Sequence, residues 1–190
     1  MTAPHAVRPR PSSGLPGDRE VQVVSADQPF PAEEVSVARA VGELLQVVRE
    51  SLDLEVVFVG QITGGRRHFR HVSSAMSPAP IEVGGSHALE DTLCQRILDG
   101  RLPALIPSVR AVVRQHGLPD ALQALGTHVG VPVHLPDGRL YGMLCGFNLR
   151  ESAAPLDARD VKRLEVAAGA AARLLAQADG SATGADVELA

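Results

Sequence analysis

Two apolar segments joined by Pro136-Asp137-Gly138 constrain the fold of this chain more than any other feature. Residues 129–135 precede the turn, residues 139–148 follow it, and both segments are mostly apolar. Asp-Gly between two such runs is a typical signal for a β-hairpin. The strands of a hairpin run antiparallel, so the sequence predicts an antiparallel sheet.

A second hairpin is expected earlier in the chain. Residues 54–62 (LEVVFVGQI) are too short and too β-branched for a helix, and their continuous apolar character predicts a strand buried on both faces. Gly64-Gly65 then turns the chain into a partner strand at residues 66–73.

Helices are expected on both sides of these hairpins and between them. Apolar residues recur at helical spacing over residues 32–52 and 157–177, and shorter helices fit 89–98 and 109–125, the last with a break at Gly117-Leu118-Pro119. Short strands are expected at 81–83 and 104–106. The predicted class is α/β in the α+β sense: an antiparallel sheet with the terminal helices on one face, and with loops and short helices that form a pocket on the other.

The length of 190 residues fits one domain with two tails. Residues 1–32 are rich in proline and are expected to be disordered, as is the tail at 178–190. The predicted domain spans residues 33–177.

Composition argues against several classes of function. The net charge is −4 and aromatic residues make up 3% of the chain, so a nucleic-acid partner is not expected. No run approaches the ~20 apolar residues of a membrane span. Two cysteines without an apolar export segment predict reduced thiols and a cytoplasmic protein.

The order of elements, together with residues 91–103 (DTLCQRILDGRLP) and 130–147 (GVPVHLPDGRLYGMLCGF), resembles a GAF domain of the bacterial signalling branch. The resemblance covers about residues 33–177. It implies a small-molecule pocket between sheet and loops, and a homodimer formed through the terminal helices. The sequence contains no kinase motif and no GGDEF or EAL segment, so a stand-alone sensor module without catalytic residues is the favoured interpretation.

The ligand motifs of GAF relatives do not match this sequence. The cyclic-nucleotide pattern is absent. Bilin attachment needs a Cys-His or Asp-x-Cys-Phe motif, whereas Cys94 precedes Gln95 and Cys145 precedes Gly146. The cysteine pattern of free methionine sulfoxide reductases does not fit two cysteines. The sequence therefore leaves the ligand and any cofactor unnamed.

Alternation along the last strand predicts which side chains face the pocket. One face carries Leu140, Gly142, Leu144 and Gly146, and its glycines suit close approach of the Ala-rich terminal helix. The opposite face carries Tyr141, Met143, Cys145 and Phe147. From strand parity and the family resemblance we expect these ligand-binding residues: Phe58, His71, Cys94, Thr127, Tyr141, Met143 and Cys145. The alternative is that they only fill the core.

Two other functions remain open. In the first, Cys94 and Cys145 act as a thiol redox sensor or reductase. In the second, the pocket binds no ligand and the protein is a dimerisation or docking module. A metal site is not expected, because His128 and His134 lie six residues apart on one strand face and no Cys/His cluster accompanies them.

Overall fold

Helices and strands follow one another in the predicted order. The computed structural model describes residues 32–151 and 155–184, with side chains for 35–151 and 155–178. The helices are α1 (Ala32–Ser51), α2 (Leu93–Leu98), α3 (Val109–His116) and α4 (Ala158–Gly184). The strands are β1 (Val56–Thr63), β2 (Arg66–Ser74), β3 (Ser86–Ala88), β4 (Leu105–Ile106), β5 (Thr127–His134) and β6 (Leu140–Asn148).

Several boundaries differ from the predicted ones. The short strand expected at 81–83 lies instead at Ser86–Ala88, where it pairs with β2. The expected break near Gly117 is present: Gly117 caps α3 in the left-handed conformation (φ 59°), and a 3₁₀ turn follows at Asp120–Ala124. Helix α4 continues to Gly184, so residues 178–184 are helical rather than a disordered tail. The expectations for 1–31 and 185–190 lie outside the described residues.

One six-stranded sheet organises the domain, in the order β3-β2-β1-β6-β5-β4. Every neighbouring pair is antiparallel. Both predicted hairpins are present, β1 with β2 and β5 with β6. The predicted α+β fold is therefore confirmed.

One face of the sheet is covered by α1 and α4. Valines of β1 and β5 and Leu144 of β6 form a buried cluster there with Val41 and Leu45 of α1 and Leu164 of α4. The glycines of β6 were expected to allow close approach of the terminal helix, but their nearest neighbours are different. A Cβ at Gly146 would lie 2.6 Å from Leu54 Cδ1, and one at Gly142 would clash with the backbone of Gly60 on β1. Both glycines therefore make room for β1 and the segment before it.

The other face of the sheet carries a second buried cluster, which the short elements cover. Its members include Phe58, Phe69, Cys94, Met143, Cys145 and Phe147. A third cluster, built from α2, α3 and their flanking loops, lies beside it. Among the described residues no helix is long and apolar enough to cross a membrane.

Candidate functional site

A cavity of about 610 Å³ lies between the sheet and its covering loops. Phe58, Phe69 and Phe147 line it from the sheet, while Leu122 and Leu125 line it from the opposite wall. Polar groups also line it: Arg66, Arg67, Ser86, His87, Asp91, Thr92 and His128. Apolar walls with a few polar groups are typical of small-molecule sites, and the volume falls within their usual range.

Arg67 of β2 brings a positive charge to the floor of this cavity. The residue is only 8% exposed. Its guanidinium carbon lies 5.0 Å from the centroid of the Phe58 ring and 4.8 Å from that of Phe69. Nη2 lies 3.0 Å from His87 Nδ1, and Nη1 donates to Cys94 Sγ at 3.1 Å. Nε is buried and has no hydrogen-bond partner among the described residues.

Gly60 explains how β2 can bury so large a side chain. A Cβ at Gly60 on the neighbouring strand β1 would lie 2.8 Å from Arg67 Cγ and 3.4 Å from Phe58 Cε2. A side chain at this position would therefore displace Arg67. The cation–π contacts with two rings partly replace the hydration that Arg67 loses on burial.

Two thiols meet beneath the cavity floor. Cys94 of α2 and Cys145 of β6 are both fully buried, and their sulfurs are 3.6 Å apart. Thr92 fixes the start of α2 because its Oγ1 donates to Leu89 O at 2.7 Å and accepts from Gln95 N at 3.4 Å. On β5, Gly130 makes room for the pair, since a Cβ there would lie 2.9 Å from Cys145 Sγ.

The two thiols differ in acidity. The hydrogen bond with Cys145 lowers the pKa of Cys94 most, and the charge and hydrogen bond of Arg67 lower it further against the opposing effect of burial. Burial raises the pKa of Cys145, and its hydrogen bond with Cys94 raises it further. Cys94 is therefore the more acidic thiol, and Cys145 holds its proton toward it.

His128 of β5 completes this group. It is 3% exposed, and burial, with a smaller effect of Arg67, lowers its pKa to about 3. The imidazole is therefore neutral at ordinary pH. Its Nδ1 is buried without a hydrogen-bond partner in the described part of the chain. One imidazole nitrogen and the sulfurs of Cys94 and Cys145 all lie within 4.8 Å of one another.

This arrangement corrects one step of the sequence analysis. We expected no Cys/His cluster beside the histidines, but Cys94, His128 and Cys145 form one. Its members come from α2, β5 and β6, so their spacing along the chain carries no signal. Sheet pairing of β5 with β6 and the packing of α2 bring them together.

Four of the predicted site residues share one buried cluster: Phe58, Cys94, Met143 and Cys145. Phe58 lines the cavity, whereas the other three lie beneath its floor and do not line it. The ligand-binding role of all four remains a prediction.

Tyr141 and His71 lie on the opposite side of the sheet from the one we expected. Both line a separate, smaller pocket against Val37 of α1 and Leu175 of α4, and Tyr141 packs against the helix-side cluster. Irregularities in the strands are the reason. The register shifts between Val133 and His134, so that Val133 pairs with Gly142 and His134 with Leu140, and a similar shift in β1–β2 pairs His71 with Val59.

Thr127 does not line the cavity either. Its Oγ1 donates to Pro107 O at 3.1 Å, and alternation places its side chain on the same side as that of Val129. The next residue, His128, lines the cavity instead.

The ligand-binding residues expected from the sequence did not include Arg67, His87 or His128. A signal for Arg67 was present, because it alternates with Phe69 and so occupies an apolar position of its strand. His87 lies opposite Arg67 in the β2–β3 pairing. That pairing depends on the position of β3, which the sequence did not predict correctly.

Comparison with known proteins gives both a family and structural neighbours. The family model for the GAF domain matches residues 34–176. No curated protein matches the chain.

Solved structures of low sequence identity share the fold. The type II free methionine-R-sulfoxide reductase from Thermoplasma acidophilum has a TM-score of 0.59 at 14% identity, covering 76% of this chain and 96% of that chain. The GAF-B domain of DevS from Mycobacterium smegmatis has a TM-score of 0.57 at 15% identity, covering 78% and 97%. The blue-light absorbing form of the PixJ GAF domain from Thermosynechococcus elongatus has a TM-score of 0.57 at 15% identity, covering 83% and 96%.

The fold of this chain is therefore similar to that of known three-dimensional structures. The family match covers most of the chain, including every strand of the sheet and the whole cavity floor. The chain belongs to the GAF domain family.

Proposed function

We propose that this chain is a non-catalytic sensor module that binds a small molecule in the cavity above Arg67. The observation that carries the proposal is the cavity itself, which has a volume of about 610 Å³ and lies between the sheet and the loops. Its floor holds a buried polar atom, Arg67 Nε, that lacks a partner among the described residues. Buried polar groups normally have partners, and a ligand would supply one here.

The lining suggests the class of ligand. Most of the wall is aromatic or aliphatic, which favours a largely apolar molecule. At one end Arg67 contacts His87 and the Cys94 sulfur, and no carboxylate of the described residues pairs with it. A carboxylate is a strong acceptor for a guanidinium. The ligand that fits is an apolar molecule bearing one carboxylate or a similar acceptor group.

The terminal helices would carry the signal. Val47 of α1 and Val166 of α4 are large apolar side chains that are 63% and 74% exposed. We propose that these helices pair with a second copy of the chain, and that the loops above the cavity reposition them when a ligand binds. The two free thiols fit a reducing compartment, which supports a cytoplasmic location.

A cavity-filling variant tests the proposal. Ala88 lines the cavity, so Ala88→Phe should occupy the ligand volume. Ala111→Phe is the matched control, because Ala111 is exposed on α3 and does not line the cavity. Thermal unfolding is followed with a series of straight-chain and aromatic carboxylates.

At least one carboxylate should raise the Tm of the wild type and of Ala111→Phe but not that of Ala88→Phe. The Arg67→Gln variant should lose the preference for the acid over the matching alcohol. Equal stabilisation of wild type and Ala88→Phe would refute the cavity assignment. A tight dimer that none of the compounds stabilises, with no retained molecule, would instead favour a ligand-free docking module.

A second candidate function rests on the 3.6 Å separation of the two sulfurs. Cys94, the more acidic thiol, would attack the outer oxygen of a hydroperoxide and form a sulfenic acid, releasing an alcohol or water. The Cys145 thiol would then attack this sulfur and expel water, leaving a disulfide. The step oxidises two thiols and reduces one peroxide.

Mass spectrometry after mild peroxide treatment distinguishes this candidate. Loss of two hydrogens from the folded protein, absent in Cys145→Ser, would support the redox sensor or reductase. Thiols that stay unmodified until the protein unfolds would eliminate it.

A further inference from the structure

The buried group beneath the cavity floor has the composition of a metal site. Cys94 and Cys145 each offer a sulfur, and His128 offers an imidazole nitrogen. We propose that these three residues bind a single Cu(I) ion; of the three, His128 also lines the ligand cavity of the proposed function.

The separation of the sulfurs fits coordination to one ion. Two thiolates bound at ~2.3 Å to a tetrahedral ion lie about 3.8 Å apart, and a wider angle increases this distance only slightly. The sulfurs here are 3.6 Å apart. One imidazole nitrogen of His128 and both sulfurs lie within 4.8 Å of one another, so the three ligand atoms converge on one point.

The state of His128 gives an independent reason for a ligand. Its ring is buried, and Nδ1 has no hydrogen-bond partner among the residues described. A buried nitrogen without a partner loses the hydration it would have in the unfolded chain. A metal ion would satisfy an imidazole nitrogen at this position.

Gly130 allows the Cys145 sulfur and the His128 ring to pack against the backbone of β5. This residue pairs with Cys145 across β5 and β6. A Cβ at Gly130 would lie 2.9 Å from Cys145 Sγ and 3.0 Å from His128 Cε1, so any side chain here would press on two of the three ligands. Met143 Cε lies 3.5 Å from the same point and closes the site with an apolar thioether.

Charge and ligand number favour a monovalent ion. Two thiolates and a neutral imidazole carry two negative charges, and the guanidinium of Arg67, hydrogen-bonded to Cys94, supplies one positive charge. Cu(I) makes this buried group neutral, whereas a divalent ion leaves one uncompensated positive charge where burial of charge is costly. Thiolate ligands suit soft ions, Cu(I) and zinc among them, and a structural zinc site would need a fourth protein ligand that these three residues do not supply.

The test is an anaerobic titration of the full-length, reduced protein with Cu(I) in competition with the chromophoric chelator bicinchoninate. The wild type should retain one equivalent of Cu(I), and X-ray absorption should show two sulfur ligands and one nitrogen ligand. Zn(II) should not be retained against a chelator of comparable strength.

Variants distinguish Cu(I) binding at this site from adventitious binding elsewhere on the protein. Cys145→Ser and His128→Gln should weaken Cu(I) binding by more than about 100-fold, beyond the cost of losing an outer-shell partner. His134→Gln is the matched control, since His134 is an exposed histidine on the same strand, and it should bind like the wild type. Circular dichroism of each variant checks that the fold is retained.

Three results would overturn the proposal: no Cu(I) retained by the wild type, unchanged binding in folded His128→Gln, or preference for Zn(II). If a cysteine variant does not fold, the ligand set seen by X-ray absorption decides. The cavity-filling Ala88→Phe variant should keep its copper, so this site and the proposed ligand function can fail separately.

Discussion

Glycines decide what the functional face of the sheet can hold. Gly60 leaves room for Arg67, and Gly130 leaves room for the Cys145 sulfur and the His128 ring. Neither position has the positive φ that favours glycine. Their role is steric: they allow a cation, two thiols and an imidazole to be buried in one layer of side chains.

The Gly130→Ala variant tests this role. Its Cβ would lie 2.9 Å from Cys145 Sγ, so strands must separate or side chains must shift, and unfolding free energy should fall by about 1–3 kcal/mol. Urea denaturation measures the change. Gly42→Ala is the control: apart from its own helix backbone, no atom of the described residues lies within 4 Å of its Cβ position on α1, and alanine should stabilise the helix by about 1 kcal/mol. Equal effects of the two substitutions would contradict the steric account.

His128 makes stability depend on pH. Its folded pKa, about 3, lies below the unfolded value of 6.5, so between these values only the unfolded chain takes up the proton. Stability should therefore fall as the pH decreases, by about 2 kcal/mol from pH 7 to pH 5 in the metal-free protein. His128→Gln should remove this part of the slope, which urea midpoints at the two pH values measure. Parallel pH profiles for wild type and variant would show that His128 is not buried in its neutral form.

At the scale of elements, strands were easier to predict than their registers. The Asp137-Gly138 turn and the apolar runs beside it identified the β5–β6 hairpin, because local turn chemistry and strand composition agree there. The register shift before His134 has no comparable local signal, since it depends on how two strands twist against each other. It moves Tyr141 to the helix side.

The candidate site, too, was predicted only in part from the sequence. Cys94, Met143 and Cys145 were expected to border one pocket, but the sequence did not decide whether the two cysteines approach each other. The structure places all three in one buried cluster. Arg67 and His128 were not predicted as its centre. Buried strand positions are predicted from apolar side chains, so a buried charged residue such as Arg67 is not expected. Its burial is favourable only because of its neighbours in the fold, the two aromatic rings and the Cys94 sulfur.

The exposed apolar side chains of the terminal helices allow the proposed homodimer to be tested. Val47 and Val166 are exposed on α1 and α4, and we expect them to lie in a homodimer interface. The double variant Val47→Glu, Val166→Glu should be a folded monomer, because charges would be buried without partners in the interface. Light scattering coupled to size exclusion measures the mass.

Val83→Glu is the matched control for this surface. Val83 is 64% exposed but lies in the loop before β3, so its substitution should leave the dimer intact. A wild type that is monomeric at micromolar concentration, or a double variant that stays dimeric, would contradict the proposed interface.

At the scale of the whole molecule, the sheet separates two layers with different tasks. The helix layer packs valine, leucine and alanine into an apolar core. The loop layer leaves a cavity over a floor that contains Arg67 and His128, and two thiols lie beneath this floor. We infer that ligand chemistry belongs to the loop layer, and that stability and assembly belong to the helix layer.

Native mass spectrometry of the protein purified without denaturation tests this division most directly. Wild type and Ala111→Phe should each carry one non-covalently bound small molecule, or take one up from the carboxylate series, while Ala88→Phe carries none. The account would be contradicted if all three proteins bound the same molecule to the same extent, or if the wild type bound none of them.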